Sequence, residues 1–212
     1  VAMQDGFPAT GLTLDATEAR KDLAGLVIRD TSGNARAGVF PRHTSALVTA
    51  KASMAVDVAA FEGVTVRGGG PIFMSNDGTT SVPISPAPVS NSRIDVIYFK
   101  QNESSSPYSD VDDAPLLSAV TGTAAPVPSK PSIPTGAVEL ATVLVPAGVS
   151  ATNAGGVVVT QTFQYTTTTG GTIWVRNAVE LAALTQYSAD TRALQIDTGL
   201  SYRFVGGSWV SE

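Results

Sequence analysis

"DTGLSYRFVGGSWV", residues 197–210, is a run of short strands separated by turns, and its reading decides the fold class. Gly206-Gly207 is a pair that permits the positive φ angles of a two-residue hairpin loop. With those two residues in the loop, Val205 faces Ser208 and Phe204 faces Trp209. Side chains alternate across a strand, so Leu200, Tyr202, Phe204 and Trp209 share one face, with Ser201, Arg203 and Ser208 on the other. A three-residue turn at Asp197-Thr198-Gly199 sets Ile196 against Leu200 and Leu194 against Tyr202, which adds Leu194 and Ile196 to the apolar face. Little sequence remains beside that face to cover it.

The rest of the chain points the same way. Charged residues make up 15% of 212 residues, where roughly 25% is usual for a soluble domain, and the deficit is filled by small residues with 20 Gly and 13 Pro. Short Val/Thr-rich runs divided by Gly and Pro predict a mainly β protein. The net charge is −5 and no cluster of Lys or Arg occurs, so a nucleic-acid partner is not expected. The absence of cysteine excludes disulfides and thiolate metal sites. No apolar run approaches the ~18–20 residues of a membrane span, so no membrane insertion is expected. VAMQDGFPATG has no basic stretch followed by an apolar core, so it is not read as a signal peptide.

Residues 15–24, DATEARKDLA, predict a helix with a capping box of Asp15 and Glu18, stopped by Gly25. Strands are expected near 26–30, 54–58, 64–67, 71–75, 93–100, 138–145 and 156–165, in an antiparallel β-sandwich-like domain over 1–165. RIDVIYFK (93–100) is the clearest of them. Gly63 reads as a break, and Asn76-Asp77-Gly78 as a hairpin signal. The polar stretch 101–115 reads as an exposed loop, and the proline-rich 124–134 as extended chain. TTTTGG (166–171) reads as a linker to a small module over 172–212. In that module Asn177 and Glu180 cap a short helix, AVELAAL (178–184).

Few residues offer chemistry. His43 is the only histidine, so Cys–His and His-rich zinc sites are ruled out within one chain, and no G-x-S-x-G marks a nucleophile. Gly68-Gly69-Gly70 lacks the spacing of a phosphate loop and reads as a turn. Asp110, Asp112 and Asp113 form the only carboxylate cluster, a solvated loop or a cation site without the later Gly and Glu of an EF-hand. No catalytic residue, no metal and no cofactor is expected. An Asn102-Glu103-Ser104 acceptor pattern reads as a chance match.

MQDGFPATG, EARKDLAGLVIRD, GVFPRHTSALVTA, MAVDVAAFEGVTVRGGGPIFMSNDG and SNSRIDVIYFKQNE resemble the N-terminal part of minor tail proteins of phages that infect actinobacteria. PSIPTGAVELATVLVPAG is similar to the stretch after their Pro-rich connector. NAVELAAL followed by DTGLSYRFVGGSW resembles a terminal module of phage tail and tail-fibre proteins, matched at Asp197, Thr198, Gly199, Tyr202, Gly206 and Trp209. The resemblance implies a structural virion protein of the tail tip or baseplate, made in the host cytoplasm. It also implies a homotrimer, other phage tail proteins as partners, and attachment to a host cell-surface glycan. Two symmetry mates would then cover the apolar face of Leu194, Ile196, Leu200, Tyr202, Phe204 and Trp209. The alternative is a receptor-binding module that grips a host cell-wall saccharide.

Overall fold

A computed structural model describes residues 15–42 and 46–212; His43 and the MQDGFPATG stretch lie outside them. In chain order the elements are α1 (Ala16–Leu23), a 3-10 turn (Ala24–Leu26), β1 (Gly38–Val39), β2 (Val48–Ala50), β3 (Ala55–Val58) and β4 (Phe61–Arg67). Next come β5 (Gly70–Asn76), β6 (Thr80–Pro83), β7 (Arg93–Gln101), β8 (Pro115–Val120), β9 (Val138–Val145) and β10 (Val158–Gln161). Then follow β11 (Thr172–Val175), α2 (Ala178–Ala182), β12 (Arg192–Gln195), β13 (Leu200–Val205) and β14 (Ser208–Ser211). They form four sheets, ordered β1-β4-β5, β2-β3-β6, β10-β9-β7-β8 and β11-β12-β13-β14. The protein is mainly β and sandwich-like, and among the described residues the strands pair antiparallel except β11 with β12, with one further parallel bridge from Val39 to Tyr165.

The main core lies between these sheets. Val56 and Val58 of β3, Val82 of β6 and Phe61 of β4 meet Ile97 and Phe99 of β7 and Leu140, Val143 and Val145 of β9. β7 is buried from Arg93 to Phe99 except at Ile94, because it runs centrally between β8 and β9. Ile97 pairs with Ala141 but Tyr98 pairs with Glu139, so Leu140 is an extra residue in β9. This bulge lets Leu140 and Ala141 both reach the core. At one end of β7 a buried charge pair replaces apolar packing. Arg93 Nε lies 2.9 Å from Asp95 Oδ1, its other nitrogens donate to the carbonyls of Ser85 and Pro86, and Asp95 accepts from the Gly122 N–H.

Several expectations need correction. The α1 capping box is present, with Glu18 N–H donating to Asp15 at 2.8 Å and Asp15 N–H to Glu18 at 3.2 Å. Residues 26–30, however, form no strand, only single bridges from Val27 to Thr168 and from Arg29 to Ala35. The Asp30 carboxylate accepts from the N–H groups of Ser32 and Asn34, and this local turn competes with strand pairing. Gly63 is no break. It sits within β4 because a Cβ there would come within 2.8 Å of the Phe99 ring, which needs that space to pack edge-on to Phe61.

Gly68 and Gly69, at φ 57° and 82°, make the two-residue loop between β4 and β5. Asn76-Asp77-Gly78 is not a hairpin, since β5 pairs with β4 while β6 pairs with β3. The Asn76 side chain donates to the carbonyls of Ala59 and Gly78, steering the chain from one sheet to the other. Strand β8 follows the polar stretch directly and has no counterpart among the expected strands. Only 158–161 of the expected strand 156–165 is regular; Phe163 and Tyr165 continue past it as core side chains.

Candidate functional site

The closing hairpin forms with the expected register at its tip: Val205 faces Ser208 and Phe204 faces Trp209. The previous turn is different. Gln195 pairs with Leu200, Leu194 with Ser201 and Ala193 with Tyr202, so the loop is 196–199, one residue longer than the expected three-residue turn. Gly199, at φ 71°, donates its N–H to the Gln195 carbonyl at 2.8 Å and closes the loop. A slip of one residue turns every side chain of a strand to its other face. Ala193, not Leu194 or Ile196, therefore shares the face of Tyr202, Phe204 and Trp209. The cause is β11, a strand absent from the sequence expectations. Ile196 N–H stays bonded to the Val175 carbonyl at 2.9 Å, so the residue remains aligned with β11 while β13 turns away.

The apolar face is covered by the chain itself. Helix α2 and the residues after it bring Leu181, Leu184 and Tyr187 over Ala193 and Phe204, and Ile28, Ile173 and Val175 complete a second, small core. Asn177 caps α2 by accepting from the N–H groups of Val179 and Glu180. Trp209 packs against this core and its indole Nε1 donates to the Leu184 carbonyl. Phe204 is 6% exposed, whereas Leu200, at the end of the face, is 46% exposed.

The opposite face of the same sheet meets the main core. Trp174 and Ile196 pack on it, and Leu194 lies beside Trp174 in register. Tyr165 meets Trp174 edge-on with ring centres 5.8 Å apart. The Arg176 guanidinium lies 4.9 Å from the Phe163 ring centre and 5.9 Å from that of Tyr165, and pairs with Glu180 at 2.6 Å. Burial pushes the Tyr165 hydroxyl above its ordinary pKa. Arg36 donates to the Tyr165 carbonyl at 2.6 Å and to the Tyr187 hydroxyl at 3.1 Å. The stretch read as a linker belongs to this seam: Thr166 is fully buried, its N–H donates to Val39, and the Thr167 carbonyl accepts from Ile28. Sequence spacing does not mark Arg36, whose partners lie 129 and 151 positions away, whereas Arg176 has Glu180 within one helical turn.

The polar stretch is an exposed loop, with Asp112 and Asp113 in solvent, but Asp110 turns inward. Asp110 accepts from Arg67 of β4 and Lys100 of β7, both at 2.5 Å, and from the Glu103 N–H at 2.9 Å. The Arg67 side chain is 4% exposed and lies 4.6 Å beneath the Tyr108 ring centre. Arg20 of α1 pairs with Glu103. These contacts tie α1, β4 and β7 together through the loop. Hydrogen bonds from Arg67, then Lys100 and the Glu103 N–H, hold the Asp110 carboxyl well below the usual carboxylate range. Asp112 accepts from Asn102 and Ala114, which lowers its pKa, and Asp113 accepts from Ser104. Among the described residues no group of three or more metal-binding side chains is placed to hold an ion.

Two surface features remain. Phe40 and Phe73 lie parallel, ring centres 6.3 Å apart at 4°, and Phe73 is 44% exposed. An open cleft of about 550 Å³ lies between segments 28–33, 169–171 and 188–192. Among the described residues no helix is long and apolar enough to cross a membrane. Comparison with known protein families, with curated proteins and with solved structures finds no match to this chain.

Proposed function

We propose that this chain is a structural component of a phage tail, at the tail tip or baseplate, that joins subunits and contributes to host attachment without enzymatic activity. The observation that carries it is where the phrase shared with terminal modules of tail proteins falls. Asp197-Thr198-Gly199 lies in the loop between β12 and β13, Gly206 opens the tip of the hairpin, and Tyr202 and Trp209 pack on the small core. Every one of these residues serves the architecture of the module. The Asp110 loop likewise spends its carboxylates on bracing.

Three copies around a tail axis are part of the proposal, carried by the resemblance alone. The face that called for symmetry mates is covered by α2 within one chain, so a trimer contact would use another surface. Mass spectrometry of purified virions tests the reading: peptides of this chain in the tail fraction support it, and their absence from intact particles overturns it. The native mass of the purified protein tests the trimer separately.

A second reading, attachment to a host cell-wall saccharide, is favoured by the exposed Phe73 ring, which lies parallel to half-buried Phe40, and by the cleft. Exposed ring faces can stack on sugars, and clefts between packed units are where ligands collect.

A further inference from the structure

We propose that the cleft between segments 28–33, 169–171 and 188–192 binds a neutral oligosaccharide. This rests on the attachment reading and assigns the glycan a position. The cleft's volume, about 550 Å³, falls in the roughly 300–1,000 Å³ range of small-ligand sites. Its walls come from segments distant in sequence: Ile28 belongs to the small core, and Thr169 donates its N–H to the Leu26 carbonyl.

The lining chooses the ligand. Arg29 and Arg192 are balanced by Asp30 and Asp190, so no net charge selects an ion. The hydroxyls of Thr31, Ser188 and Thr191 lie among them, and no aromatic ring lines the cleft to stack a flat base. Guanidinium groups only donate, carboxylates only accept, and hydroxyls do both. A polyol, whose every hydroxyl donates one hydrogen bond and accepts others, matches such a mixture along its length.

Three charged side chains differ in how they are held at the cleft. The Arg29 guanidinium makes no hydrogen bond or ion pair with another described residue, although Arg29 lines the cleft. Asp190 sits at φ 67°, in the left-handed region, with its N–H bonded to the Phe204 carbonyl at 3.0 Å; its carboxylate accepts from Arg203 at 3.3 Å and is otherwise exposed to the solvent. Asp30 is fixed by its hydrogen bonds from Ser32 and Asn34.

Titration calorimetry of the purified full chain against short neutral gluco-, galacto-, manno- and arabino-oligosaccharides, with uronic-acid counterparts, tests the site. At least one neutral series is expected to bind. Arg29→Ala and Asp190→Asn should each weaken it about tenfold. Because the Arg29 side chain is exposed and has no partner among the described residues, its variant should melt with the parent. Neutral binding that survives both variants and is lost in Phe73→Ala overturns the cleft while keeping the attachment reading. Tighter binding of the acidic series overturns the charge-balance argument. Binding of no oligosaccharide overturns the cleft, and leaves the assembly role to be judged by virion composition.

Discussion

The indole Nε1 of Trp209, on the last strand, donates a hydrogen bond of 2.9 Å to the carbonyl oxygen of Leu184, just beyond helix α2. That single bond ties the sheet to the helix that covers it, and its ring packs beside Phe204, with ring centres 5.1 Å apart. Trp209→Ala is expected to cost about 3 kcal/mol, the lower end of the range for truncating a buried Trp, since this ring is only half-buried. Trp209→Phe should cost about 1 kcal/mol, the worth of one hydrogen bond. Thermal unfolding reads both. Because the ring faces its own chain, the native mass should be the same for variant and parent; a drop in mass on mutation would place Trp209 in a subunit contact instead.

Gly63 and Phe99 occupy one space between β4 and β7. Gly63→Ala puts a methyl group 2.8 Å from the Phe99 ring and should cost about 1–3 kcal/mol by overpacking. Replacing Phe99 with Leu in the same chain should recover part of the loss. Denaturant midpoints of the single and double variants show whether the two positions are coupled.

The Arg93–Asp95 pair is buried at the end of the main core, with Asp95 fully buried. Asp95→Ala leaves the Arg93 charge without its partner and releases the Gly122 N–H. Breaking a buried pair from one side costs about 3–5 kcal/mol. A variant that unfolds at the parent's denaturant midpoint would show that Arg93 is satisfied by the carbonyls of Ser85 and Pro86 alone.

Acid should loosen the brace at Asp110. Its carboxyl is held below the ordinary range by Arg67 and Lys100, so it contributes stability above the unfolded-state value of about 3.9. That contribution fades as pH falls from there through the lower folded-state value. Asp110→Asn should therefore be less stable than the parent at pH 7, with the difference shrinking as the solution is acidified below about pH 4. Urea unfolding of both proteins across that range measures it. A constant difference at every pH would show that the ion pairs at Asp110 do not bear on stability.

Incubation with host cell-wall glycan is expected to release no new reducing ends at any pH. Release abolished by Asp110→Asn would make that carboxylate catalytic and overturn the non-enzymatic reading.

Much of this fold is legible without coordinates, and the parts that are legible share a cause. The Asp15–Glu18 capping box, the Gly68-Gly69 and Gly206-Gly207 loops and strand 93–100 depend on neighbouring φ and ψ angles and on side-chain alternation. Those constraints act within a few residues, so the residues themselves carry them. The mainly β class and the pairing of Phe204 with Trp209 follow from such local rules.

What tertiary structure decided lies where distant segments compete for the same residues. Asn76-Asp77-Gly78 has hairpin chemistry, yet the Asn76 side chain binds the Ala59 carbonyl and sends β6 to another sheet. Asp110 has the polarity of a solvated loop residue, but Arg67, 43 positions away, and Lys100 turn it into a brace. A three-residue turn at Asp197-Thr198-Gly199 would place Leu194 and Ile196 on the hairpin's apolar face. The bond from Ile196 N–H to Val175 on parallel strand β11 lengthened that turn by one residue and sent both side chains to the other face. Turn chemistry sets where a strand can reverse, whereas register is set by which partner strand holds the backbone. That partner is found only when the chain has folded.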